Sequence, residues 1–443
     1  MIADLRTTLL QAIDEPVARY ELLDRYYRGE QPLAFLAPEA AKALGNRFGR
    51  MSSNIPRLAV TSIAERLRIT GFTDVDIWAD WLRNDLDQLA PIAHREALLL
   101  GCSYVVVWAD AQGRPQVSIE SARQMSMIVD PGTRRPVAAC KRWTTETTTE
   151  ATIFEADKIT RLRANTTGAT TAGYETVEVL DNPLGVVPVV RLTNSDRILD
   201  GGVSEIADLL PLVDGLNKVL ADMMVGSEYF ARPRRWATGV ELVEEKKLDD
   251  DGNPVLDDDG EPIFEEVNPY PEENRFLLAE ESEAKFGQLE GSDLAAYESS
   301  VNILMSQIMA VSALPAHYTG ILQSAPSSAD ALRAAEASLT ARAEAKQALF
   351  GRSWEQVARL IVAVRDGGSV EDVSPRVQWA DAATRSVAQE ADAVTKLFAA
   401  GLLPATYALS RLGYSGDEIL DIRTATRLEA LDKAGTDITA LTP

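Results

Sequence analysis

The side chains best placed to do chemistry are carboxylates packed into one short stretch. Between positions 241 and 283 stand 17 Asp or Glu residues against only Lys246, Lys247 and Arg275. Two Asp triplets, ending at Asp251 and Asp259, each run into a glycine. Such clusters suit either divalent cations or two-metal hydrolysis. A calcium loop places oxygen ligands at positions 1, 3, 5 and 12 and glycine at 6. With Gly260 at position 6, Asp257, Asp259 and Glu266 fall correctly, but Val255 takes position 1 and Pro262 lies inside the loop. The frame around Gly252 begins with Lys247. Metal-dependent hydrolysis draws its carboxylates from separate rigid elements, whereas these sit on turns. Solvated turn carboxylates are the reading the spacing favours.

Other chemistry finds less support. No Gly-x4-Gly-Lys-Ser/Thr segment exists to cradle phosphate, so the chain is not expected to burn ATP. Cys102 and Cys140 are the only cysteines, 38 positions apart, and His94 and His317 the only histidines. No zinc set or disulfide framework can be assembled from them, and neither a cofactor nor a catalytic residue is expected. Arg232, Arg234 and Arg235, beside Trp236, form a basic triplet whose ordinary reading is a solvated or ion-paired surface. Lys141, Arg142, Arg161 and Arg163 read as sheet-face partners of acids.

The elements that position these residues follow from periodicity. Leu5, Leu9, Leu10, Ile13, Val17 and Tyr20 recur at helical spacing, and further helices are expected over 55–67, with Asn54 as N-cap, 75–86 and 91–100. From 104 to 192 the period becomes two, giving strands at 104–108, 116–120, 127–130, 137–143, 151–154, 159–163 and 176–180. No crossover helices intervene, so the sheet is antiparallel. Helices over about 203–230 and 292–313 bracket the acidic insert. Within it Leu248–Val255 is repeated as Leu256–Ile263, each unit an Asp-Gly turn beside a short apolar edge, predicting a hairpin or two. Residues 316–327 read as a loop, and Ser327-Ser328-Ala329-Asp330 opens a helix to about 365, followed by three short helices. The fold class is therefore α+β, predominantly helical. The net charge is −23, which disfavours tight wrapping of nucleic acid but suits a passage that keeps a duplex from sticking. No apolar run reaches the ~20 residues of a membrane span and the first residues show no signal peptide, so no membrane partner is expected.

The order of several weak motifs is more specific than any one of them. Tyr27-x-Gly29, Asn54-Ile-Pro56, Ala64-Glu-Arg-Leu67, Gly71-Phe72, Ala97 through Tyr104 and Val129-Asp130-Pro131 come first. Ser327 through Leu332 with Glu336 and Leu339, then Lys346, Phe350-Gly351-x2-Trp354, Trp379-Ala-Asp381 and Ala400-Gly401-Leu-Leu-Pro404 follow. Together they resemble the portal proteins of tailed bacteriophages, in the group that includes the portal of a Bacillus siphophage.

That resemblance implies a portal fold assembled as a ring, commonly a dodecamer, at one capsid vertex. It implies a wing at 1–202, stem helices at 203–230 and 292–315, a clip at 231–291, a tunnel loop at 316–327, a long wing helix and return at 328–380, and a crown at 381–443. The implied partners are double-stranded DNA read without sequence specificity, the terminase large subunit, a head–tail adaptor, and the major capsid and scaffolding proteins. Within this frame His317, Tyr318, Thr319, Gln323 and Ser324 are expected nearest the duplex. Arg232, Arg234 and Arg235 are expected as a basic girdle, and Asp250, Asp251, Asp258, Asp259 and Glu261 as a docking surface on the clip. The acidity and repetition of the insert depart from the pattern. Another adaptor ring, or an acidic metallohydrolase, stands as the alternative.

Overall fold

The computed structural model describes residues 4–33, 52–231, 235–238, 243–247, 254–256, 260, 262–267, 283, 285–288, 294–319, 329–383, 387–412, 414 and 416–438. The chain divides into two compact units: residues 1–23, 58–205 and 313–443, and residues 24–57 with 206–312.

In the first unit, helices Leu5–Asp14 and Val17–Arg28 replace the single expected helix, broken at Glu15-Pro16 because proline cannot continue the first. Strand β1 (Ile69–Thr73) follows helix Ile55–Ala64, so Gly71-Phe72 lies inside a strand, not at a helix end. Asn54 is not a helix cap: its φ is +50° and its side-chain oxygen accepts no hydrogen bond. Helix Trp78–Arg83 is shorter than the expected 75–86, and helix Leu86–Leu100 runs straight through Pro91. The one backbone bond lost there is outweighed by burial of Leu86, Ala90, Ala93, Leu98, Leu99 and Leu100.

Strands β2 (Cys102–Ala109), β3 (Pro115–Ser121), β4 (Met125–Val129), β5 (Pro136–Thr144), β6 (Thr149–Glu155), β7 (Lys158–Ala164), β8 (Tyr174–Asp181) and β9 (Val189–Thr193) come next. β4 to β8 form an antiparallel meander in chain order, while β3-β2-β9 make a separate sheet. Alternate residues of the meander (Ala138 and Cys140, Ala151 and Ile153, Leu162 and Ala164) face Leu9, Leu10 and Ile13 of the first helix. Period-two alternation on one side and helical spacing on the other thus meet in one core. Two of the expected sheet-face pairs are present, Arg161–Glu178 and Arg163–Glu150, whereas Lys141 reaches Glu120 in the other sheet and Arg142 reaches Asp14 at the end of the first helix.

Helix Ala329–Asp366, 38 residues and about 57 Å long, packs along β2 and β9. It buries Leu339, Ala343, Phe350, Trp354, Val357, Ala358 and Ile361, a three-four-seven stripe. β14 (Arg376–Trp379) returns to pair antiparallel with β1, Phe72 opposite Val377. Helices Val387–Ala399, Ala405–Arg411 and Gly416–Ile438 close the chain.

Gly101 and Gly202 touch backbone to backbone where helix Leu86–Leu100 turns into β2. A Cβ at residue 202 would lie 2.2 Å from the Gly101 carbonyl oxygen, and its φ of +120° is glycine territory. Gly202→Ala is expected to destabilise by roughly 2 kcal/mol or more. Gly113→Ala, with positive φ but nothing within 4 Å, should cost less. Urea midpoints of the two variants measure the difference.

Candidate functional site

Two helices carry the insert in the second unit: Leu210–Ala231 and Leu294–Ser312, 22 and 19 residues, or about 33 and 29 Å. Pro211 stands in the first turn of the former, after a 3-10 turn at Ala207–Leu209, where its missing N–H costs nothing. Val213, Leu216, Asn217 and Ala221 of one helix and Met305, Ile308 and Ser312 of the other are buried. Gly215 and Gly226 leave room for Leu304 and Tyr297 opposite. Polar pins hold the pair in place. Asn217 Oδ1 accepts the Ser53 N–H at 3.1 Å, and the Tyr26 hydroxyl donates to Asp214 at 2.7 Å. Burial, with Asp214 second, pushes the Tyr26 pKa up to about 12.

The second helix carries one charged residue, Glu298, along its whole length, yet Ile303 is 59% exposed on it and Val311 40%. The insert itself holds β10 (Arg235–Thr238) paired with β13 (Lys285–Gln288), and β11 (Val243–Lys246) paired with β12 (Phe264–Val267). Beyond them the octapeptide repeat closes on itself. The Val255 N–H donates to the Lys247 carbonyl at 2.8 Å, Ile263 N–H to Val255 at 2.8 Å, and Lys247 N–H to Ile263 at 2.9 Å. Three residues spaced by eight thus form a cycle of hydrogen bonds that ties the ends of the two repeats together. Gly260 adopts φ +84°, as its Asp-Gly turn requires, and Leu256 pairs with Pro262 across it. Arg235 opens β10, and Glu266 lies in β12. Arg232, Arg234, Asp250, Asp251, Asp257, Asp258, Asp259 and Glu261 lie outside the described residues.

Past helix Leu294–Ser312 the chain turns at Ala313 (φ +58°), and a 3-10 turn, Ala316–Tyr318, stands where a loop was expected. Its side chains are fastened rather than loose. His317 Nε2 lies 3.3 Å from Glu336 Oε1, and Arg66 Nη2 donates to Glu336 Oε2 at 3.2 Å and to the Tyr318 hydroxyl at 3.0 Å. The Arg66 guanidinium also covers the Tyr318 ring, 5.9 Å from its centroid, and the Thr319 hydroxyl donates to the Ala316 carbonyl at 2.8 Å. Gln323 and Ser324 lie outside the described residues. Arg66 and Glu336, both nearly buried, carry this anchor, and no role had been read for either from the sequence. Both nevertheless fall inside motifs that carry the resemblance.

His94, the other histidine, is fully buried, its Nε2 accepting the Trp354 Nε1–H at 2.7 Å and its ring stacked on Phe350. Burial pushes its pKa down to about 3. The folded state therefore holds His94 neutral, while the unfolded chain takes up a proton below about pH 6.5. Stability should be complete above that value and fall by about 2 kcal/mol on going to pH 5. His94→Gln, which keeps an acceptor, should flatten that slope in unfolding experiments at stepped pH. Among the described residues no three His, Cys, Asp or Glu side chains are placed to hold a metal ion, and no helix is long and apolar enough to cross a membrane.

The family described as "Phage portal protein, SPP1 Gp6-like" matches residues 7–427, across both compact units and the insert. The chain belongs to this family. It is 32% identical over 392 residues to the portal protein of Mycobacterium phage D29, covering 83% of this chain and 77% of that one. It is 29% identical to the portal protein of Mycobacterium phage L5, covering 94% and 89%. A solved chain from the neck of a native gene transfer agent particle computed with C12 symmetry superposes with a TM-score of 0.46 at 15% identity. The match covers 90% of this chain and 99% of that one. As a portal protein of a tailed phage, the chain is a component of the virion.

Proposed function

We propose that copies of this portal protein close into a ring, commonly of twelve, set at one capsid vertex, whose passage conducts double-stranded DNA during packaging and ejection. The family match running from residue 7 to residue 427 carries this reading, because it spans both compact units and the insert. The helix pair lends support. A 19-residue helix with one charge and an outward Ile303, in a chain that is 25% charged, suits coverage by neighbouring copies.

In this reading helices Leu210–Ala231 and Leu294–Ser312 are the stem, the insert is the clip, residues 1–202 and 328–380 the wing, and residues 381–443 the crown. Asp250, Asp251, Asp258, Asp259 and Glu261 offer an acidic tip to the terminase large subunit and later to a head–tail adaptor. Arg232, Arg234 and Arg235, repeated around the ring, make a basic girdle. His317, Tyr318, Thr319, Gln323 and Ser324 border the duplex, rooted by Arg66 and Glu336. A chain of net charge −23 repels phosphate elsewhere, so the duplex slides rather than sticks. Capsid and scaffolding proteins meet the wing, and assembly takes place in the host cytoplasm.

Negative-stain imaging of the concentrated chain, with rotational averaging, should show rings with an axial channel wide enough for duplex DNA. A chain that stays monomeric, or a closed particle without a channel, overturns the proposal.

A further inference from the structure

The last three helices, Val387–Ala399, Ala405–Arg411 and Gly416–Ile438, touch chiefly one another. Between residues 391 and 430 only Val394, Ala408 and Ile419 are buried among the described residues. Leu397, Phe398, Leu402, Tyr407, Leu420 and Leu428 stand exposed over the same stretch. One valine, one alanine and one isoleucine bury too little apolar surface to hold three helices, so the group needs a cover.

The charges of the last helix indicate what that cover is. Arg423 and Arg427 stand four residues apart, on one face, and both are exposed. No acid lies three or four residues from either, so within the helix the two guanidinium groups only repel. Asp421 and Glu429, also exposed, each lie two residues from one of these arginines. Two residues of α-helix turn by about 200°, which puts the acids on the opposite face, with Glu418 on their side. Each face carries an exposed leucine as well: Leu420 lies seven residues before Arg427, and Leu428 seven after Asp421. Elsewhere in the group Asp392 and Lys396 pair with each other at 2.6 Å, and Arg411 ends its own helix. A foreign partner would complement one of the two faces. A copy of the same helix complements both.

We propose that, around the ring, the basic face of helix Gly416–Ile438 in one copy packs on the acidic face of the same helix in the next copy. Side by side and in one direction, Arg423 comes within about 3 Å along the axis of the neighbour's Asp421, and Arg427 equally of its Glu429. Leu420 and Leu428 close the two ends of the contact. Because the faces differ, the contact is head-to-tail and repeats from copy to copy, as a closed ring requires. This rests on the ring reading above and names a contact within it.

Two full-length variants test it. Arg423→Glu with Arg427→Glu leaves acids on both faces, and Asp421→Lys with Glu429→Lys leaves bases on both. Each alone should self-associate at least about tenfold more weakly than the unaltered chain in sedimentation at low salt. Their circular dichroism spectra and urea midpoints should stay unchanged, since all four side chains are exposed. Mixed in equal amounts, the two should recover rings in which they alternate, a rescue that mere misfolding could not give. A variant that forms rings alone as readily as the unaltered chain, or a mixture that stays dissociated, overturns this contact, while rings of the unaltered chain keep the ring reading standing. A mixed product that stops at two copies overturns the head-to-tail order. An unaltered chain that stays monomeric at high concentration overturns the contact and the ring together.

Discussion

Trp354→Ala is expected to lower the free energy of unfolding by about 3–5 kcal/mol, the largest loss of any single substitution in the first unit. The indole is fully buried and meets the Trp81 ring edge-on at 5.2 Å and the His94 ring at 5.6 Å. Trp81 in turn stacks on Trp78 and tilts against Phe72, so one ring joins helix Trp78–Arg83, helix Leu86–Leu100, β1 and the long helix. Truncation removes a large apolar surface, opens a cavity that neighbouring backbone elements cannot collapse into, and takes away the donor on which His94 Nε2 depends. Equilibrium urea unfolding should show the midpoint falling sharply with the slope retained. A midpoint shift equal to that of an exposed aromatic such as Tyr407→Ala would mean the cluster does not hold these elements together.

Glu336→Gln is the second large effect, expected at about 3 kcal/mol. The Arg66 and Glu336 side chains are 9% and 6% exposed, so water screens their attraction poorly. The substitution keeps the shape and removes the charge that faces a buried guanidinium. Arg66 retains its bonds to the Ser62 carbonyl at 2.9 Å and to Tyr318, which holds the loss toward the lower end of the range for broken buried pairs. Replacing both partners by apolar residues, Arg66→Met with Glu336→Leu, should recover most of the loss, because a buried pair stabilises far less than breaking it destabilises. A double-mutant cycle in urea measures the coupling. Strictly additive losses would show that the two side chains are independent.

How far these features were legible depends on the sequence distance between partners. The long helix was legible end to end, because its Ala/Leu/Arg/Glu run begins at Ser327-Ser328 and stops at Gly367-Gly368. The meander was legible because β5 to β8 alternate and pair with chain neighbours. β1 and β14 were not. Each is four or five residues long, β1 has a glycine inside it, and its partner lies some 300 positions away. Such strands exist only by virtue of the pairing, which no local pattern announces. Pro91 misled for the converse reason: a local breaker rule was overridden by burial of one whole helix face. The anchor at 316–319 shows the same limit. A histidine, a tyrosine and a threonine in a Gly- and Pro-bounded stretch read as a loop, and nothing nearby shows that Arg66, some 250 residues earlier, reaches Tyr318. The ordered motifs did contain Arg66, Glu336, Phe350 and Trp354, but spacing alone gave them no job.

The tip of the insert has a consequence for how this gene can vary. Lys247, Val255 and Ile263 satisfy one another's amides and carbonyls in a closed triangle, while β11 and β12 bring residues 246 and 264 together beneath it. Tandem octapeptides invite duplication and deletion during replication. Here each unit supplies one amide and one carbonyl, so a third copy, or the loss of one, keeps donors and acceptors equal but changes the size of the three-membered cycle that must fit over the fixed β11–β12 pair. The number of units is therefore tied to the size of that cycle, and related viruses should differ in the residues of each unit before they differ in how many units there are.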